Sequence, residues 1–153
     1  MVPGYSERDG GSLYRAQSTI SPDGVIVMHR RKIKPTHVER TIWGEGQASS
    51  LRSVVDTPFE KIGALCCFEH YQPLLRYCQY GQGVQIRVAA WPLFFEVEKG
   101  SVATFQGSST AGLLASRFMG IEGQAFVIVC TQVVKEENLV EMGVTDKVSS
   151  LVV

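Results

Sequence analysis

Gly63-Ala64-Leu65-Cys66-Cys67-Phe68-Glu69-His70-Tyr71-Gln72-Pro73-Leu74 is an apolar run that stops abruptly on two cysteines, a carboxylate and a histidine. Residues 61–66 read as a strand. The spacing of Leu74, Leu75 and Cys78 predicts a helix over 71–80, halted by Gly81-Gln82-Gly83, with Pro73 tolerable only near its start. Cys67 therefore falls at a strand-to-helix elbow. A thiol is nucleophilic near neutral pH, and a neighbouring cation or a helix N-terminus lowers its pKa from about 8.5. Alternation along the strand sends Cys66 into the core and Cys67 to the opposite side. Because a free cysteine is more often a packing residue than a nucleophile, this stretch by itself leaves both readings of Cys67 open.

On either side, hydrophobic patterning and turn signals extend the picture. Residues 84–91 read as a further strand, so Cys67 lies within a strand-helix-strand unit. A helix is predicted over 108–121, opened by Ser108-Ser109-Thr110. Residues 125–131 form a continuous apolar strand of the kind buried on both faces. Residues 93–107 read as loop, 133–143 as a weak helix and 145–153 as a tail. Upstream, 51–56 is a strand closed by Thr57-Pro58 and pairs with 61–66. Residues 12–20 and 25–32 flank Ser21-Pro22-Asp23-Gly24 as a second hairpin. The sum is an α/β (α+β layered) fold with helices covering a sheet.

At 153 residues, 44% hydrophobic and 20% charged, the chain is long and apolar enough to bury a core. Fifteen basic residues balance fifteen acidic ones, so no global field points to nucleic acid or to a membrane surface. No signal-peptide pattern opens the chain and no apolar run is long enough to span a bilayer, so the expected location is cytoplasmic. Cys66, Cys67, Cys78 and Cys130 then read as free thiols, and no spacing among cysteines and histidines matches a zinc site.

His29-Arg30-Arg31-Lys32-Ile33-Lys34 runs into Pro35, which opens an irregular segment through Glu39-Arg40 to Gly44-Glu45-Gly46. A basic run by default is a solvated face. An extended segment after Pro35 would instead carry Glu39 back toward Lys32. A Lys-Glu pair beside a thiol supplies the parts of covalent acyl chemistry, the ammonium stabilising developing negative charge. His70 reads as a cap or surface residue, and Arg117 with Glu122 as an ion-pair resource on one helix.

Arg31-Lys32-Ile33-Lys34-Pro35-Thr36-His37-Val38-Glu39-Arg40-Thr41-Ile42-Trp43-Gly44 and Gly63 to Leu75, in this order and separation, closely resemble nitrilases of the carbon-nitrogen hydrolase superfamily. So do Ser6 to Tyr14, Val88-Ala89-Ala90-Trp91-Pro92 and Ala115 to Gln124; the likeness covers nearly the whole chain and is specific to the nitrilase and cyanide hydratase branch. The resemblance implies a partial α-β-β-α sandwich and a site in which Cys67 is the nucleophile, Lys32 the catalytic lysine and Glu39 the supporting glutamate. It also implies that the backbone N–H of Phe68, where tryptophan is usual, helps hold the oxyanion. Trp91 and Pro92 are candidates for the substrate pocket, with a core tryptophan an equal reading. The implied substrate is a small nitrile or cyanide, with no metal and no cofactor.

By the same resemblance, residues 1–153 read as the central part of such a domain, incomplete at both ends. The family's general-base glutamate sits on a segment ahead of the counterpart of Tyr5-Ser6-Glu7-Arg8, and Glu7 belongs to a different motif. The expected function is nitrile hydrolysis impaired in this chain. The alternatives are a catalytically dead homologue that assembles with full-length nitrilase, and a cyanide hydratase or dihydratase. Homo-oligomerisation or co-assembly is implied in the same way.

Overall fold

The structure, a computed structural model, describes residues 1–92, 94, 105–132 and 138. Two four-stranded sheets pack on each other. In the first, β1 (Gly4–Asp9), β2 (Ser12–Ile20) and β3 (Ile26–Arg31) form an antiparallel meander, and the two-residue β4 (Trp43–Gly44) pairs parallel with the start of β2. In the second, β5 (Val54–Asp56) and β6 (Lys61–Cys66) are an antiparallel hairpin, continued in parallel by β7 (Ile86–Ala90) and β8 (Phe126–Cys130). Helices α1 (Pro73–Gly81) and α2 (Ser109–Gly123) lie on the second sheet. Gln79 of α1 donates to the carbonyls of Ala64 and Ser53, and Met119 of α2 packs on Ala89 and Trp91. Three layers, α, β and β, are thus present among the described residues.

Local chemistry accounts for most of these elements. Gly24, at φ +80°, closes the β2–β3 turn, where its N–H donates to Ser21 O. Pro73 sits at the first position of α1, where its missing N–H costs nothing. Ser108 caps α2, its Oγ accepting from Ala111 N at 3.2 Å.

Several expectations are corrected. Residues 4–9, which carried no assignment from the sequence, are a strand although their sequence is polar and without alternation. Asp9-Gly10-Gly11, with Gly10 at φ +57°, turns the chain into β2, and Glu7 is anchored across the sheet by Arg31. Residues 48–51 form a tight 3₁₀ turn, so β5 is shorter than expected. β8 is not buried on both faces: Phe126, Ile128 and Val129 are exposed, because among the described residues β8 has a strand neighbour on one side only. Glu122 pairs not with Arg117 but with Arg76 of α1 (2.8 Å), five residues being the wrong spacing for one helix face. The loop expected at 93–107 lies outside the described residues except for 94 and a short turn, Phe105–Gly107. The helix and tail expected at 133–143 and 145–153 also lie outside them, residue 138 apart.

One buried ion pair joins the two sheets. Arg30 of β3 and Glu69, just past β6, are 1% and 0% exposed and meet in a two-bonded fork at 2.8 and 2.7 Å. Removing one partner strands a buried charge. Glu69→Gln is expected to cost about 3–5 kcal/mol, and the double change Arg30→Met with Glu69→Met less than that; urea unfolding of the three proteins checks both.

Candidate active site

The basic run resolves by strand alternation. Arg30 and Lys32 point into the space between the sheets. Arg31 points outward to Glu7 and Asp9, over the Tyr14 ring at 4.0 Å. The solvated-face reading therefore fails for Arg30 and Lys32, at 1% and 2% exposure. Lys32 stands where β3 ends. Its carbonyl accepts from Gly46 N at 2.9 Å, so close an approach that a Cβ on Gly46 would lie 2.7 Å from that oxygen.

Past Pro35 the chain turns back in a 3₁₀ segment, His37–Thr41, started by Thr36. Glu39 reaches Lys32 Nζ at 2.5 Å, and the same carboxylate oxygen accepts from the backbone N–H of Thr36 at 2.8 Å. Lys32 Nζ also donates to Thr36 Oγ1 at 3.1 Å. Burial alone would raise the Glu39 pKa, but the bonds from Lys32 and Thr36 outweigh it and hold the carboxyl below its usual range. Glu39 is therefore ionised at neutral pH.

Cys67 opens a 3₁₀ turn, Cys67–Tyr71, that precedes α1. The elbow is sharp because Cys67 itself adopts the left-handed conformation, φ +54°, a strained one for a side-chain-bearing residue. Glu69 holds it in place by accepting from Cys66 N and Ile33 N, each at 3.0 Å, while bound to Arg30. One carboxylate thus ties the thiol's turn to the strand end that carries Lys32. Burial pushes the Cys67 pKa up; the Lys32 charge and the Phe68 N–H, directed at the sulfur, pull it back in part. Cys66 faces the space between the sheets, and burial lifts its thiol to about 11.

Lys32, Glu39, Cys67 and the Phe68 N–H are therefore brought together. Trp91 is placed in the core at 6% exposure, its Nε1 donating to Ser116 Oγ at 3.0 Å, while Pro92 next to it is exposed. His70, expected as a cap or surface residue, is 1% exposed with its ring 4.6 Å from that of Trp91. Burial, then the Arg87 charge, pushes its pKa down to about 3, so it stays neutral. Sequence reasoning missed three neighbours. Arg15 of β2 lies 3.6 Å from Glu39, Tyr71 bonds Gln106 O at 3.0 Å close to the thiol, and Glu69 organises the turn. The spacing of Arg30 and Lys32 was a legible signal for a buried acidic partner. Nothing in the pattern marked Arg15. Among the described residues no cluster of histidine, cysteine, aspartate and glutamate could hold a metal ion, and no helix is long and apolar enough to cross a membrane.

A thiol on a strained strand-to-turn elbow thus faces a lysine-glutamate pair between two sheets. Residues 1–145 match the carbon-nitrogen hydrolase family, and the chain belongs to it. It is 59% identical over 141 residues to a nitrilase of Talaromyces marneffei, covering 91% of this chain and 44% of that protein. It is 48% identical over 137 residues to an aliphatic nitrilase of Rhodococcus rhodochrous (90% and 36%), and 47% over 143 residues to a cyanide hydratase of Armillaria gallica (93% and 43%). The chain thus spans less than half the length of these relatives. A carbon-nitrogen hydrolase from Helicobacter pylori shares its fold with a TM-score of 0.72 at 18% identity, covering 88% of this chain and 47% of that one.

The strain at Cys67 is measurable without any reaction. Cys67→Ala and Cys67→Gly both delete the thiol, but glycine alone tolerates φ +54° freely. The glycine variant is expected to be more stable than the alanine variant by about 1 kcal/mol, read from urea unfolding midpoints.

Proposed function

We propose that this chain carries the thiol half of a nitrile-hydrolysing site, with Cys67 as nucleophile, Lys32 and the Phe68 N–H as stabilisers of developing negative charge, and Glu39 as the carboxylate that orients Lys32. The observation that supports it is the placement of Lys32, paired with Glu39 at 2.5 Å, against the Cys67 thiol. The thiolate sulfur adds to the nitrile carbon, whose nitrogen takes up a proton, giving a thioimidate. Water adds to that carbon, and the tetrahedral intermediate expels ammonia to leave a thioester. A second water releases the carboxylic acid and returns the proton to sulfur. Charge builds on the substrate nitrogen and then oxygen in these steps, where a fixed ammonium and a fixed N–H lower the barrier.

Glu39, the carboxylate that faces the thiol, is already engaged by Lys32 and Thr36. Among the described residues no free base stands beside the thiol, and a site without one turns over about a hundred- to ten-thousand-fold more slowly than a site with a general base. Cyanide hydration is the second reading, favoured by the similarity to a cyanide hydratase. It uses the same residues, but the intermediate expels the thiolate and yields an amide. Exposed Leu114, Phe118 and Ile121 on α2, with Phe126 and Ile128 on β8, support assembly with another nitrilase chain, which sedimentation of the purified protein tests.

Ammonia and amide release from aliphatic, aromatic and arylacetonitriles and from cyanide is the direct test. Cys67→Ala is expected to abolish it and Glu39→Gln to lower it by about a hundredfold; release undiminished in Cys67→Ala overturns the reading. Independently of turnover, iodoacetamide labelling of Cys67 should rise with pH to a midpoint above that of a free cysteine peptide, because burial disfavours the thiolate. Lys32→Met, which removes the compensating cation, should move that midpoint further up.

A further inference from the structure

The cations around the site are not equivalent. Arg30 is forked onto Glu69, Lys32 sits on Glu39 at 2.5 Å, Arg31 binds Glu7 and Asp9, and Lys34 binds Glu45 at 2.6 Å. Arg15 is different. Its nearest carboxylate oxygen, Glu39 Oε1, is 3.6 Å away, beyond hydrogen-bond length, while Lys32 and Thr36 hold the other oxygen. The guanidinium lies over the Trp43 ring at 5.1 Å, the side chain is 37% exposed, and among the described residues no hydrogen bond occupies its N–H edge.

Its position on the sheet sharpens the contrast. Lys32 N donates to Arg15 O at 2.7 Å, so Arg15 and Lys32 are neighbours across the β2–β3 ladder. Two like charges so placed repel each other. Glu39 reaches both, but one carboxylate neutralises one cation. With the thiol protonated, Lys32, Arg15 and Glu39 leave one net positive charge at Cys67. The Arg15 charge acts on the sulfurs of both Cys66 and Cys67.

We propose that Arg15 is a specificity-determining residue of this site, its open guanidinium edge selecting electrophiles that carry a carboxylate next to the reacting carbon, so that the preferred nitriles are cyano-carboxylates. The planar fork can take both oxygens of a carboxylate while its face stays on Trp43. The inference rests on Cys67 being the nucleophile.

Alkylation by iodoacetate and by iodoacetamide tests it on the intact chain. In both reagents the Cys67 thiolate displaces iodide from a CH2 group, forming the S–C bond as C–I breaks, with the thiol proton passing to buffer; only iodoacetate carries a charge. Peptide mass spectrometry identifies the labelled cysteine. The rate ratio of iodoacetate to iodoacetamide at Cys67 is expected to fall about three- to tenfold in Arg15→Gln at low ionic strength, and to be restored largely by Arg15→Lys. In the unaltered protein the ratio should fall as salt is raised toward ~0.5 M. A ratio unchanged in Arg15→Gln overturns the proposal. If that variant does not fold, a salt-insensitive ratio in the unaltered chain does so equally. Failure of the underlying reading looks different: labelling would then not favour Cys67 over Cys78 and Cys130 with either reagent.

Discussion

The Glu69 carboxylate is the constraint on which the site depends. It accepts two bonds from Arg30, one from Ile33 N and one from Cys66 N, with no exposure to solvent. Taking two charges out of water costs several kcal/mol per ion, and only a fully bonded geometry offsets it. Both carboxylate oxygens and the Arg30 fork are saturated, the guanidinium also reaching Ser50 O and Gln17 Oε1. Such a pair contributes more to geometry than to net stability. It sets the end of β3 beside the end of β6, so that Lys32 faces Cys67.

The strain at Cys67 makes sense in that setting. A left-handed residue persists where its surroundings overdetermine it. Here the N–H before it is bound by Glu69, the chain after it continues into a turn packed on Trp91 through His70 and Tyr71, and Pro73 then starts α1. The sulfur is thereby pushed out of the strand toward the Lys32–Glu39 pair, while Cys66, one residue earlier, stays in extended geometry between the sheets.

Much of this was legible residue by residue. The β2–β3 hairpin, the β5–β6 pair, the elbow, α1 with its proline start and α2 with its Ser108 cap all follow from turn chemistry, periodicity and capping, which act over a few residues. What was missed or misread shares a cause. β1 has polar residues and gains its place through cross-strand partners Arg31 and His29, which lie far along the chain. The apolar content of β8 suggested neighbours on both faces, but hydrophobicity does not say which neighbours exist. His70 looked polar and proved to be a buried, neutral ring.

Sequence by itself determined most of the elements, the elbow and, through resemblance, membership of the carbon-nitrogen hydrolase family. Those depend on local backbone preference and on motifs contiguous in the chain. Tertiary structure alone decided most of which charges are consumed and which are open: Arg30 by Glu69 across 39 positions, Glu122 by Arg76, and Arg15 by no short ion pair among the described residues. Coulomb energies depend on separations of a few ångströms and on burial. Neither is set by order along the chain.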